Sequence, residues 1–196
     1  MRLIAWLNNT YPEGFYKIFG QQLSILEQRT SLNRYVNKKL NGAVWVSEFC
    51  QLISLAFGLA CLVSAGSLPQ WLRYLLAVPL SYRVYEIFLF AINWFFTHPK
   101  PPRSYKRSLV GFLLNFGELV IYFAFGYFIS GSVKDGTPWT AFYSSLRTAV
   151  TIGPTNFREE CWYSVLILSL QIVVSYFLIV VVVASVVGTI TNTQKK

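Results

Sequence analysis

The stretch Thr148-Ala149-Val150-Thr151-Ile152-Gly153 decides how this chain is laid out. It closes a helical segment, about 139–150, that lies between two much longer apolar segments. The hydrocarbon core of a bilayer takes about 20 apolar residues in helical form. A segment this short enters and returns; it does not cross. The non-helical residues that follow it at membrane depth are tolerated only when enclosed by protein or beside water.

Working outward, the composition calls for a membrane protein. Of the 196 residues, 54% are hydrophobic and only 13% charged, more apolar material than a soluble core of this size needs. Four long apolar runs, at about 43–66, 71–96, 108–130 and 161–190, exceed the spanning minimum. The last has no charged residue and as a helix is roughly 45 Å long, so it tilts or projects beyond the hydrocarbon. The expected fold is an all-α membrane protein with four transmembrane helices and one re-entrant helix at 138–150.

Basic residues orient these runs. Arg2, Lys17, Arg29, Arg34, Lys38 and Lys39 precede the first; Lys100, Arg103, Lys106 and Arg107 lie between the second and third; Lys195 and Lys196 end the chain. The positive-inside rule puts all three groups in the cytoplasm. The net charge of +9 is then mainly a topology signal, with a weaker attraction to anionic membrane lipid and no call for nucleic acid as a partner. The chain divides into a cytoplasmic segment 1–42 carrying an amphipathic helix (Ile25, Leu26, Leu32, Tyr35, Val36, Leu40), two spans within 43–97, a basic Pro-rich linker 98–107 and a module 108–196. Cys50 and Cys61 are about 16 Å apart along one helix, too far to bridge.

Thr137-Pro138 opens the short helix with an N-cap and a first-turn proline. Its C-terminal end carries partial negative charge toward the membrane middle, where a cation is stabilised. Here Thr148 to Gly153 resembles the potassium-channel pore family, whose filter reads T-x-x-T-V-G-Y-G. The resemblance covers about 108–190 and implies an outer helix, pore helix, filter 151–156 and inner helix 161–190, assembled as a homotetramer in the plasma membrane. It implies a filter of Thr151, Ile152, Gly153, Pro154 and Thr155, with monovalent cations held at Thr151 and Ile152 and no other cofactor. Where the family has an aromatic residue, glycine and an acidic residue, this chain has Pro154, Thr155 and Asn156. Proline fixes φ and removes a donor, and threonine takes positive φ poorly. The outer half of a filter is missing, so weak selection of potassium over sodium is expected.

In the last span a 3.5-residue seam collects Ser164, Gln171, Ser175, Ser185 and Thr189 on one face, interrupted by Leu178 and Val182. Hydrogen bonding between helices is one use for such a stripe. The use expected here is a wet pore lining of Gln171, Ser175, Leu178, Val182, Ser185 and Thr189, with the Leu178 and Val182 ring as a dewetting gate. Glu118, mid-span in the outer helix, needs a partner. Arg147, one turn before Thr151, is expected to supply it and brace the filter, with Glu159 or Glu160 as alternatives. Arg83 and Glu86 are spaced to pair with each other, and Arg73 and Arg83 stand too far apart for a voltage sensor. With one histidine and no nucleophile triad or phosphate loop, no enzyme is expected. The rival readings are a non-conducting scaffold or accessory subunit with a relic loop, and an anion pore using Arg147.

Overall fold

The computed structural model describes residues 44–97 and 105–193, with side chains over 49–92 and 109–183. The amphipathic helix expected within 1–42 and most of the basic linker lie outside the described residues, and so do the side chains of Ser185 and Thr189. Among the described residues five helices follow one another: α1 (Val44–Ser64), α2 (Gln70–Thr97), α3 (Tyr105–Ile129), α4 (Pro138–Ala149) and α5 (Trp162–Thr193). Three contain stretches long and apolar enough to cross a membrane, Gln70–Ile92, Leu109–Ile129 and Trp162–Val183. The part of α1 whose side chains are described, Phe49–Ser64, is apolar but shorter. These spans are compatible with an integral membrane protein.

Helix α3 is the hub, packing on each of the other four helices. Its side chains are correspondingly apolar around most of its circumference: Leu119, Val120, Ile121, Phe123, Ala124 and Phe125 are all buried. At one end Ile121, Tyr122 and Phe125 close on Cys61, Leu62 and Leu80 from α1 and α2. Toward the other end Phe112 meets Ile87 and Ala91 of α2 and Leu178 and Val181 of α5. Pro79 sits inside α2, which a helix among other helices in lipid tolerates better than one in water.

Helix α1 reaches α3 through a close approach at Gly58. A Cβ there would collide with the Tyr122 ring, whose hydroxyl is fixed by Ser54 Oγ at 2.6 Å and donates to Ser54 O at 3.0 Å. Gly58→Ala is therefore expected to displace Tyr122 and cost about 1–3 kcal/mol. Thermal unfolding of the detergent-solubilised protein checks this. A Gly58→Ala protein as stable as the parent would mean that α1 is not held at this distance.

Candidate functional site: the short helix and the loop that follows it

Helix α4 has 12 residues, about 18 Å of rise. Thr137 caps it, with extended backbone (φ −104°, ψ 147°) and its side chain accepting from Thr140 N at 3.2 Å, and Pro138 takes the first turn. Ala141, Ser144, Ser145, Thr148 and Ala149 form the buried face. Small residues let α3 approach closely. Ser145 Oγ donates to Val120 O at 2.7 Å, and Thr148 Oγ1 donates to Ser144 O at 2.9 Å. The opposite face, with Trp139, Tyr143 and Leu146, stays exposed in the single chain.

Beyond Val150 the chain turns tightly. Thr151 N donates to Thr148 O at 3.0 Å and Ile152 N to Arg147 O at 2.9 Å. Thr151 and Gly153 both take positive φ, 67° and 87°. For Gly153 this is inexpensive. For a β-branched threonine it is a genuine outlier, of the kind that costs about 1–3 kcal/mol and persists when the surroundings impose it. Thr151 and Ile152 are exposed, Ile152 by 65%. Gly153, Pro154 and Thr155 are partly covered, and Thr155 O accepts from Ser144 Oγ at 2.8 Å. The chain leaving the loop is tied back: Val133 and Phe157 form an isolated antiparallel bridge, and Asn156 Nδ2 donates to Asp135 Oδ2 at 2.7 Å. Phe157 packs edge-on against Tyr127 of α3, with centroids 5.4 Å apart. The five proposed filter residues thus share one loop, anchored at both ends.

The polar stripe of α5 meets α3, α4 and the loop between them, inside the chain. Ser164 Oγ accepts from Ser132 Oγ at 2.8 Å. Gln171 Nε2 donates to Ser145 O at 2.9 Å and to Ser145 Oγ at 2.8 Å. Gln171, Ser175 and Leu178 are all buried, and Val182 packs beside Leu178 against Ile87, Ala91 and Phe112. In this chain Gln171, Ser175 and Leu178 therefore occupy its core and not an open face. For Gln171 the physical reason is that a polar group on a span finds its least costly partner on a neighbouring helix. Ser175 Oγ is buried without a hydrogen-bond partner among the described residues. Among the residues that α5 leaves exposed are Trp162, Val165, Leu166, Ser169, Leu170, Ile172, Val173, Tyr176 and Val183. Gln171→Leu, which removes both of these hydrogen bonds while Ser145 Oγ keeps its bond to Val120 O, is expected to lower stability by about 1 kcal/mol. A melting temperature unchanged by Gln171→Leu would show that α4 is not held to α5 through this residue.

Glu118 also finds a different partner from the one expected. Arg83 Nε donates to Glu118 Oε2 at 2.8 Å, and Arg83 Nη1 to Glu86 Oε2 at 2.6 Å. One guanidinium serves two carboxylates, with Glu118 fully buried. Arg147 is half-buried and lies over the Tyr143 ring, 5.8 Å from its centroid. Among the described residues no carboxylate pairs with it. The side chain of Arg147 therefore braces nothing through Glu118 in this chain; its backbone carbonyl does hold the turn at Ile152. A depth comparison would have found the Arg83 pair. Arg83 lies 13 residues from the start of α2 and Glu118 lies 11 from the end of the antiparallel α3, about 20 and 17 Å.

The chain matches no family model, no curated protein and no solved structure. A functional reading therefore rests on its own geometry and on the letters of the loop.

Proposed function

We propose that this chain is the subunit of a tetrameric cation channel of the potassium-channel pore type, weakly selective between potassium and sodium. The observation that carries the reading is the strained, exposed loop at the end of α4. A capped helix too short to span aims its negative end at residues whose backbone takes positive φ at Thr151 and Gly153. Strain of this kind is kept where it serves a site. Carbonyl rings from Thr151 and Ile152 of four subunits would replace the hydration shell of a monovalent cation. Pro154 and Thr155 leave the outer half of such a filter unbuilt, which favours passage of both ions.

Assembly follows from what one chain leaves uncovered. Trp139, Tyr143 and Leu146 of α4 and the apolar flank of α5 are exposed together, and a patch of this kind marks an interaction surface. Four copies around the loop would cover part of it and put residues such as Ser169, Ile172 and Tyr176 nearer the axis than Gln171. In this reading α1 is the fourth span, α4 is re-entrant, both termini are cytoplasmic and the protein sits in the plasma membrane. Purified protein in liposomes tests it: vesicles loaded with potassium and vesicles loaded with sodium should empty at comparable rates. Vesicles that retain both ions would assign the chain to a non-conducting scaffold, and potassium loss alone would refute weak selectivity.

A further inference from the structure

A cavity of about 280 Å³ opens between α2, α3 and α5, away from the loop just described. Its walls are apolar, with Ala77 and Val84 from α2, Phe125 and Gly126 from α3 and Leu170 from α5. From Tyr74 to Val84 it follows α2 for about 15 Å. Tyr74 and Ser130 line one end, and Ser81 and Tyr122 are the other polar residues along it, the Tyr122 hydroxyl being taken by Ser54. Arg73, next to Tyr74 on α2 but not itself in the lining, lies near that end, its Cζ 5.4 Å from the ring centroid of Phe128, two residues before Ser130. Its Nε donates to Leu68 O at 2.8 Å, and no carboxylate pairs with it among the described residues.

We propose that this groove holds one acyl chain of a phospholipid whose phosphate is bound by Arg73. The charge pattern selects this occupant. A slot lined mostly by hydrocarbon with a guanidinium beside one end matches a molecule with an apolar tail and an anionic head, and Arg is well suited to phosphate. Arg73 falls near the start of the span Gln70–Ile92, the depth at which headgroups lie. Val78 and Val173, exposed on the flanking faces of α2 and α5, give the tail an apolar approach. The inference rests on α2, α3 and α5 crossing the bilayer and not on conduction.

Gly126 makes the test clean, because a side chain added there meets no atom within 4 Å and so fills the groove without a clash at its root. The detergent-purified protein is incubated with phosphatidylglycerol, or with diacylglycerol bearing the same chains, and examined by native mass spectrometry. The parent should retain phosphatidylglycerol and bind diacylglycerol at least tenfold more weakly. Arg73→Gln should weaken phosphatidylglycerol by about tenfold, and Gly126→Leu should abolish its retention. Equal binding of the two lipids, or undiminished binding by Gly126→Leu, would overturn the proposal. So would loss of subunits from the Gly126→Leu complex, which would make a second copy the occupant. Because the readout is bound lipid and not current, a protein that fails to conduct leaves this result standing.

Discussion

Replacing Arg83 by leucine should destabilise the fold by about 3–5 kcal/mol, the usual consequence of removing one partner from a buried ion pair. The expected loss is large because the guanidinium answers two carboxylates at once, Glu118 at 2.8 Å and Glu86 at 2.6 Å, and both are buried. Without it they face each other across the α2–α3 contact with no positive charge between them among the described residues. Neutralising the cause should reverse much of the effect: Arg83→Leu combined with Glu86→Gln and Glu118→Gln is expected to be more stable than Arg83→Leu alone. Arg147→Gln should be mild, about 1 kcal/mol or less, because that side chain is half-buried and its ring contact is of that size. Unfolding in a graded detergent mixture measures all of these variants. A triple variant no better than the single one would show that the three charges do not act as a unit.

The second large effect is expected at Gly153. Its φ of 87° suits glycine, and a Cβ there meets nothing within 4 Å. Any penalty therefore comes from the backbone and not from crowding. For an L-residue it is about 1–2 kcal/mol, enough to favour another backbone arrangement and turn the neighbouring carbonyls. In a fourfold assembly the penalty recurs in every subunit. Gly153→Ala should therefore abolish ion flux, while helix content and subunit number stay as in the parent. Gly136→Ala is the control. It has the same kind of backbone (φ 59°) in the loop before α4, and flux should persist. Full flux through Gly153→Ala would remove the loop from the conduction path.

The all-helical order, with three helices long and apolar enough to span among the described residues, was readable because it depends on length and local chemistry. Apolar runs long enough to span stand out from one too short, and Thr137-Pro138 announces where the short helix starts. The burial of α5 was less readable. A 3.5-residue period says that Ser164, Gln171 and Ser175 share a face but not what that face meets. The missing signals were Ser145 on α4, which answers Gln171, and Ser132 in the loop before α4, which answers Ser164. The partner of Glu118 went astray for a related reason. Closeness in the resembled family's architecture favoured Arg147, while depth along two antiparallel helices favoured Arg83. The strain at Thr151 could not be foreseen, since a threonine by itself argues for negative φ.

A current–voltage curve across a tenfold potassium chloride gradient, recorded from the purified protein in a planar bilayer, tests cation conduction most directly. The account predicts a reversal potential of cation sign, approaching about 59 mV in magnitude, and almost unchanged when sodium replaces potassium on both sides. A potential of the opposite sign, or a bilayer that stays silent with correctly assembled protein, would contradict it.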